Sequence, residues 1–203
     1  MFLVIKLGGI KVTKQPEIEF KTLLSEREYL MLIEKFDGAK YNDQTNHYFD
    51  TPRFTIKAMD ASLRVRERDG EFEITLKKKK RYARVEYTVK ISKEEFEEMK
   101  KTGICTNPEI AEELAALIDG QKIENFMSLF THRVYLPYSN GVLFIDRSEY
   151  CGQVDYEMEY EAKSYHLGKE EFIALIREFK IEYKKSDKKI NRAFNAYKRL
   201  YQD

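Results

Sequence analysis

The 203-residue chain contains little of what marks a secreted or a membrane protein. It has two cysteines, Cys105 and Cys151, whereas small secreted domains usually carry a disulfide framework. These two cysteines also lack the paired spacing of a zinc site. No run approaches the roughly 20 consecutive apolar residues that span a bilayer, and residues 1–16 lack the layout of a signal peptide. We therefore expect two free thiols and a cytoplasmic protein with no membrane partner.

An excess of charge of one sign is also lacking. The chain has 36 Lys and Arg against 35 Asp and Glu, for a net charge of +1. Nucleic-acid binders normally carry a basic excess, so we expect no nucleic-acid partner, although residues 77–81 resemble a basic localisation or RNA patch. Charged residues nevertheless make up 35% of the chain, above the typical ~25%. This balance permits a site in which both signs are mixed.

The length fits one domain, and we predict a single α+β domain over 1–203, in which residues 1–15 form a non-essential extension. Capping-box patterns begin helices at Ser25 and Ser92, and Asn107-Pro108 begins a third. Further helices are predicted at about 168–179 and 187–201. About eight strands are expected, with hairpin turns at Asp69-Gly70 and Ser139-Asn140-Gly141. The predicted strands are 17–21, 47–51, 55–59, 62–68, 71–78, 84–91, 131–138, 142–149 and 153–162.

Charged residues alternate with apolar residues along several of these strands. Successive side chains of a strand point to opposite faces, so each strand gains one charged face and one apolar face. One strand carries three arginines and another carries four carboxylates on a single face. The polar sets that share a face are Glu17, Glu19 and Lys21; Arg64, Arg66 and Arg68; Glu73, Thr75 and Lys77; and Asp155, Glu157, Glu159 and Glu161.

Two interpretations of these faces are open. An antiparallel sheet often has one solvated face, so alternation with charge is common. Like charges on one face repel each other, however, and the repulsion grows as solvent is excluded. Closing the sheet into a barrel with the charged faces inward would pair the basic array with the acidic one. The apolar faces would then lie outside, covered by amphipathic helices, and the last helix would seal the barrel.

A cavity of this kind has a specific chemistry. Arg and Lys bind polyanions, Arg through its bidentate fork and Lys as a point charge. Clustered carboxylates hold hard cations such as Mg²⁺, which bridge to phosphates. Phosphoryl transfer depends mainly on positioning and charge neutralisation, and a metal-bound or carboxylate-held water can be the nucleophile. The mixed charges therefore point to a metal-bound polyphosphate.

An ordered set of motifs resembles the CYTH superfamily, the triphosphate tunnel metalloenzymes, and especially its short bacterial members. The E-x-E-x-K string alone is a weak pattern, but the set covers about residues 15–200 and is far more specific. The motifs are Glu17-Ile18-Glu19-Phe20-Lys21, Tyr48-Phe49-Asp50-Thr51, Leu63-Arg64-Val65-Arg66, Lys77, Arg84-Val85-Glu86, Arg133, Asp146, Glu157-Met158-Glu159, and a lysine in Lys188-Lys189-Ile190-Asn191-Arg192.

The resemblance implies an eight-stranded antiparallel β-barrel, or tunnel, with helices packed outside. It implies that Mg²⁺ or Mn²⁺ is held by carboxylates, that basic residues grip the triphosphate, and that two acids orient water. Lys185 and Lys188 are alternatives to Lys189, and Asp50 can instead be a local turn cap. The implied metal ligands are Glu17, Glu19, Glu157 and Glu159; the triphosphate residues are Lys21, Arg64, Arg66, Lys77, Arg133 and Lys189; the catalytic acids are Glu86 and Asp146.

Three functional classes stay open at this point. The first is metal-dependent hydrolysis of a small triphosphate, either inorganic tripolyphosphate or an organic one such as thiamine triphosphate. The second is a class IV-type adenylate cyclase, which must also seat adenine and the ribose 3′-hydroxyl. The third is a module that binds a nucleotide or polyphosphate without turnover. A homodimer is also left open.

Overall fold

A computed structural model describes residues 4–7, 10–13, 18–80 and 83–201 of the chain. These residues form ten strands and six helices. The strands are β1 (Val4–Leu7), β2 (Ile10–Thr13), β3 (Ile18–Leu24), β4 (Lys40–Asp50), β5 (Ser62–Arg68), β6 (Glu71–Lys80), β7 (Ala83–Ile91), β8 (Glu124–Tyr138), β9 (Gly141–Tyr150) and β10 (Gln153–Ala162). The helices are α1 (Glu26–Lys35), α2 (Thr55–Ala58), α3 (Lys93–Thr102), α4 (Pro108–Ile118), α5 (Tyr165–Glu178) and α6 (Lys189–Tyr201).

Eight of the strands form one antiparallel sheet in the order β3-β10-β9-β8-β4-β5-β6-β7, while β1 and β2 pair separately. The predicted eight-stranded antiparallel sheet with helices is therefore confirmed. Because β3 and β7 stand at the two ends of this order, hydrogen bonds among the described residues do not close the sheet. None of the helices described combines the length and apolar character needed to cross a bilayer.

The chain divides into two compact units. Unit 1 comprises residues 45–128 with the described part of 1–16, and unit 2 comprises residues 17–44 and 129–203. Strands β4 and β8 each contribute residues to both units. The single domain predicted over 1–203 stays a prediction.

Unit 1 is built on the antiparallel strands β5, β6 and β7. The turn between β5 and β6 has positive φ angles at Asp69 (53°) and Gly70 (75°), as a two-residue hairpin loop requires. The apolar faces of the strands pack against helices α2, α3 and α4. This core includes Leu63, Val65, Phe72, Ile74 and Leu76 from the sheet and Ile56, Phe96, Met99, Ile110 and Leu114 from the helices.

One predicted strand of unit 1 is wrong. Residues 55–59 were expected to be extended, but Thr55–Ala58 forms the short helix α2. The carboxylate of Asp50, only 3% exposed, accepts hydrogen bonds from the backbone N–H groups of Thr51, Ile56 and Lys57 at 2.8–3.0 Å. These bonds satisfy amide donors that the start of a helix otherwise leaves unpaired. Asp50 is thus a local cap, which is one of the two roles the sequence left open.

Unit 2 is built on β3, β10, β9 and the later part of β8. The apolar faces of these strands pack against α1 and α5. Helix α1 begins with the predicted capping box, in which Ser25 and Glu28 bond to each other's backbone N–H. Gly141, at the β8–β9 turn, has no room for a side chain, since a Cβ there would lie 2.3 Å from the carbonyl oxygen of Glu161. The buried residues of this core are Leu24, Tyr29, Leu32, Val134, Leu143, Ile145, Met158, Tyr160, Phe172, Leu175 and Ile181.

We predict that Asp50→Ala lowers the free energy of unfolding by about 2–3 kcal/mol, because it leaves three amide donors, two of them at the start of α2 and one at Thr51, without their acceptor. Urea unfolding followed by circular dichroism measures this change. Asp37→Ala, at an exposed aspartate beyond the end of α1, is the control and should leave the midpoint within experimental error. Equal stability of the two variants would contradict the capping role.

Candidate active site

The charged side chains of unit 2 lie in register across three strands. Arg133 on β8 is paired with Asp146 on β9, which is paired with Glu157 on β10. Along the neighbouring row, Glu159 on β10 is paired with Lys21 on β3. The strand alternation that sends the apolar residues into the core sends these residues to the opposite face. The charged face is therefore built by the pairing of β8 with β9, of β9 with β10, and of β10 with β3.

Asp146 lies at the centre of this charged face and is fully buried. Arg133 donates two hydrogen bonds to it, from Nε at 2.7 Å and from Nη2 at 2.6 Å. The ammonium of Lys189 lies 2.5 Å from Asp146 Oδ2. Burial acts to raise the pKa of Asp146, but Lys189 and Arg133 outweigh it and hold the pKa below its ordinary value. Asp146 is therefore ionised in spite of its burial.

Glu157 and Glu159 flank this carboxylate in two different environments. Glu157 is fully buried, with Arg192 Nη2 at 2.6 Å and Lys189 Nζ at 3.0 Å. Burial opposes ionisation there, but Lys189 and Arg192 outweigh it and lower the pKa of Glu157 to about 2. Burial raises the pKa of Glu159 to about 8, although Arg133 Nη2 lies 2.7 Å from its Oε2. Without a metal, burial thus favours the neutral form of Glu159.

Helix α6 supplies two cations to this face. Lys189 and Arg192 are three residues apart and so lie on the same side of the helix. Lys185 and Lys188, the alternatives to Lys189, are exposed. Arg192 was not among the predicted site residues, although its spacing from Lys189 was a signal that could have identified it. The sequence places Asp155 on the same strand face as Glu157, but it did not predict that Asp155 contacts Arg192.

Three carboxylates of this face could hold a divalent cation. Oxygens of Asp146, Glu157 and Glu159 all lie within 4.8 Å of one another. Glu157 Oε1 is buried and accepts no hydrogen bond, although Lys189 Nζ is in charge contact with it. Carboxylate oxygens are the ligands that Mg²⁺ and Mn²⁺ prefer, and a buried oxygen without a hydrogen bond is available to a cation. The residues therefore fit a hard divalent metal.

The carboxylates of the E-x-E-x-K string are placed differently. Glu17 lies outside the described residues. Glu19 is exposed, and its Oε1 lies 2.6 Å from Lys21 Nζ in an ion pair. Among the residues that the structure describes, Glu19 is not part of the carboxylate cluster, whereas Asp146, predicted as a catalytic acid, is.

The remaining predicted site residues lie in unit 1, on β5, β6 and β7. Lys77 is paired with Glu86, and Nζ lies 2.8 Å from Oε2 of that glutamate. Arg66 Nε donates to Asn46 Oδ1 at 3.2 Å. The Nε of Arg64 is buried and has no hydrogen-bond partner. Lys78 points to the other face, where it contacts Glu113 of α4, so the alternation that favoured Lys77 over its lysine neighbours fits these contacts.

An eight-stranded antiparallel sheet whose polar face carries buried carboxylates among Arg and Lys defines a class of site for polyanions and cations. The model of the CYTH domain family matches residues 15–194. The chain therefore belongs to the CYTH-domain family.

The chain is also similar to individual proteins of known sequence or structure. A Bacillus subtilis (strain 168) protein, “Putative triphosphatase YjbK”, is 33% identical over 190 residues, which cover 90% of this chain and 96% of that one. A crystal structure from Bacillus halodurans, described as a putative adenylate cyclase, is 31% identical with a TM-score of 0.76 and covers 89% of this chain and 98% of its own. A Hippeastrum protein, HpAC1, described as having a dominant triphosphatase activity, is similar in fold at 21% identity and a TM-score of 0.70, over 91% of this chain and 96% of its own.

We predict that Glu159→Gln changes how stability depends on pH in the presence of EDTA. A carboxyl group whose folded pKa is about 8 stays neutral while its unfolded counterpart ionises above about 4.3. Its contribution to stability is therefore present below that value and lost as pH rises to about 8. The substitution should flatten this decline in the free energy of unfolding between about pH 5 and 8.

Glu157→Gln should act in the opposite direction. The pKa of Glu157 is lowered to about 2, so its contribution is present above about pH 4.3 and lost only as pH falls towards 2. Removing this charge from beside Lys189 and Arg192 should lower stability at pH 7 by about 3 kcal/mol. Urea titrations from pH 2 to 9 measure both effects, with exposed Glu170→Gln as the control. Parallel curves for the Glu157 and Glu159 variants would show that their environments do not differ in this way.

Proposed function

We propose that this protein is a metal-dependent triphosphatase that hydrolyses a small triphosphate, either inorganic tripolyphosphate or an organic one such as thiamine triphosphate. The observation that carries the proposal is the buried carboxylate cluster of Asp146, Glu157 and Glu159 with Arg133 and Lys189 against it. Family membership and the name of the 33%-identical Bacillus subtilis relative support the same activity.

In this proposal the three carboxylates hold Mg²⁺ or Mn²⁺. The sequence adds Glu19, and Glu17 beyond the described residues, to the ligand set. A bound divalent ion would neutralise phosphate charge and lower the pKa of a coordinated water. Asp146 and Glu86 keep their predicted role in orienting the attacking water. Ligation requires an ionised carboxylate, so metal binding would favour the ionised form of Glu159 against the effect of its burial.

The cations are proposed to bind the triphosphate. Arg133 and Lys189 now neutralise the carboxylates, with Nζ of Lys189 between Asp146 and Glu157. A divalent ion on the same carboxylates would take over that neutralisation and leave the ammonium available to phosphate oxygens. Because phosphoryl transfer needs mainly positioning and charge neutralisation, the proposed reaction requires no covalent intermediate on these residues. Lys21, Arg64, Arg66 and Lys77 remain phosphate-binding predictions from the sequence.

A second candidate is an adenylate cyclase. The 31%-identical Bacillus halodurans structure carries that description, and the same metal and phosphate groups would serve it. A cyclase must in addition bind adenine and direct the ribose 3′-hydroxyl at the α-phosphate. We propose hydrolysis first because the described charges account for a triphosphate and a metal and require no base-binding site.

Cytoplasmic location and a homodimeric assembly are kept as predictions from the sequence. Both cysteines are free thiols, with Cys105 buried and Cys151 partly buried. A reducing compartment agrees with two unpaired cysteines. Size-exclusion chromatography with light scattering would give the assembly.

We predict phosphate release from tripolyphosphate, thiamine triphosphate or ATP that requires Mg²⁺ or Mn²⁺ and stops in EDTA. Glu159→Gln and the double variant Glu17→Gln/Glu19→Gln should each lower turnover. Loss of an outer-shell partner of a metal costs up to about 100-fold, and Glu159 is proposed to be a direct ligand, so its substitution should cost at least that much. Glu170→Gln, on the exposed side of α5, should retain full activity. Cyclic AMP from ATP would favour the cyclase, and binding without any product would indicate a non-catalytic module.

We also predict that Arg64→Ala weakens tripolyphosphate binding by about 10–100-fold, the loss expected for a charged hydrogen bond. Inorganic phosphate should be affected much less, because it cannot reach several cations at once. Arg68→Ala, at an exposed position on the same strand, is the matched control. KM and direct binding by calorimetry give the two affinities, and equal losses for both ligands would remove Arg64 from the triphosphate site.

A further inference from the structure

Arg192 of α6 is a largely buried guanidinium group, with a side chain 13% exposed. It donates from all three of its nitrogen atoms. Nη2 lies 2.6 Å from Glu157 Oε2, and Nε lies 2.7 Å from Asp155 Oδ2. Nη1 donates to Ser186 Oγ at 3.1 Å and to the carbonyl oxygen of Asp187 at 2.7 Å. The group is therefore bonded both to β10 and to the segment that precedes α6.

The two bonds to β10 fix one particular arrangement of carboxylates. Asp155 and Glu157 are two residues apart, so their side chains leave the strand on the same face. The rigid fork of an arginine can bridge two such acceptors. Tyr150 OH also donates to Asp155 Oδ2 and so holds that carboxylate in place from β9. The guanidinium of Arg192 thus links Glu157 to Asp155, which Tyr150 also holds.

The consequence for Glu157 is an unequal use of its two oxygens. Oε2 is taken by Arg192, while Oε1 is buried and accepts no hydrogen bond. A glutamate carboxylate otherwise rotates broadly about its last torsion. With Oε2 held, Oε1 remains as the oxygen that faces Lys189, at 3.0 Å from Nζ.

The two bonds to residues 186 and 187 act on Lys189. They tie the backbone just before α6 to the guanidinium that holds Glu157. Lys189 is the first residue of α6, and its ammonium contacts Asp146 and Glu157. One side chain therefore sets the positions of a carboxylate and of the cation that neutralises it.

We propose that Arg192 is a positioning residue for the metal centre, which holds Glu157 so that Oε1 is presented to a divalent cation. The inference rests on the proposed function, because it presumes that the carboxylate cluster binds metal. In this proposal Arg192 contacts neither substrate nor metal and acts through Glu157. Outer-shell partners of this kind orient metal ligands, and their loss typically costs about 10–100-fold in metal affinity.

The test is Mn²⁺ binding without substrate, measured by electron paramagnetic resonance and by calorimetry on the full chain. Arg192→Gln should weaken Mn²⁺ binding by about 10–100-fold. Arg192→Lys should fall between this variant and the wild type, since an ammonium lacks the fork that reaches both acceptors. Arg199→Gln, at an exposed position on the same helix, should bind like the wild type. Thermal unfolding in EDTA establishes that each variant is folded.

The outcomes separate this inference from the proposed function. If the wild type binds Mn²⁺ and folded Arg192→Gln binds it equally well, Arg192 is structural only and the inference is overturned while the function stands. If the wild type binds no divalent ion, with or without tripolyphosphate, the metal-dependent function falls and the inference falls with it. Should Arg192→Gln fail to fold, Arg192→Lys and Asp155→Ala decide the matter, because each keeps one cation beside Glu157 and removes the bridge between Glu157 and Asp155. Unchanged affinity in both of these would overturn the inference.

Discussion

The ionised carboxylate of Asp146 is the group on which the rest of the charged face depends. It has no exposed surface, and an isolated buried charge would cost many kcal/mol. Two cations offset this cost: Arg133 on the neighbouring strand β8, and Lys189 from α6. Each compensating cation also reaches a further acid, Glu159 in one case and Glu157 in the other. A single buried charge therefore organises two strands, a helix and two more carboxylates into one cluster.

The alternation along β10 lets the same strand serve stability and chemistry. Met158 and Tyr160 face the core under α1 and α5, while Glu157 and Glu159 face the charged side. A shift of one residue in register would exchange these two sets. The apolar residues therefore also fix which carboxylates meet Asp146.

Period-two alternation and turn chemistry predicted much of this structure from sequence. The Asp69-Gly70 hairpin and the Ser25 and Ser92 capping boxes are all confirmed. Local signals failed to predict where two strands begin, because the start of each depends on pairing with distant parts of the chain. Strand β4 begins at Lys40 and β8 at Glu124, several residues earlier than expected. The polar stretch at the start of β4 has low strand propensity and is held by its neighbours in the sheet. Residues 55–59 were misassigned for the related reason that the Asp50 cap acts from outside the helix.

Prediction of the candidate site from the sequence was limited in the same way by contacts between distant parts of the chain. Acids and bases that alternate on strands could be assigned to a face by counting residues. The choice among Lys185, Lys188 and Lys189 depended on where α6 begins and how it is rotated, and Arg192 depended on the same rotation. The spacing of Lys189 and Arg192 could place them on one side of a helix, but it could not show that this side meets the strands. Those contacts join α6 to residues more than 30 positions earlier in the chain, as in the Arg192 contact with Glu157.

That separation has a consequence for the order in which the protein is made. On the ribosome, β9 and β10 emerge before α6, so Asp146 and Glu157 are complete as a strand pair while Lys189 and Arg192 are still unsynthesised or in the exit tunnel. Until then, burial of these carboxylates is opposed by their own desolvation, and Arg133 is the only one of the three cations present. The charged face of unit 2 should consequently stay hydrated during synthesis and dry only when the last helix arrives, which makes docking of α6 a late step in the folding of the nascent chain.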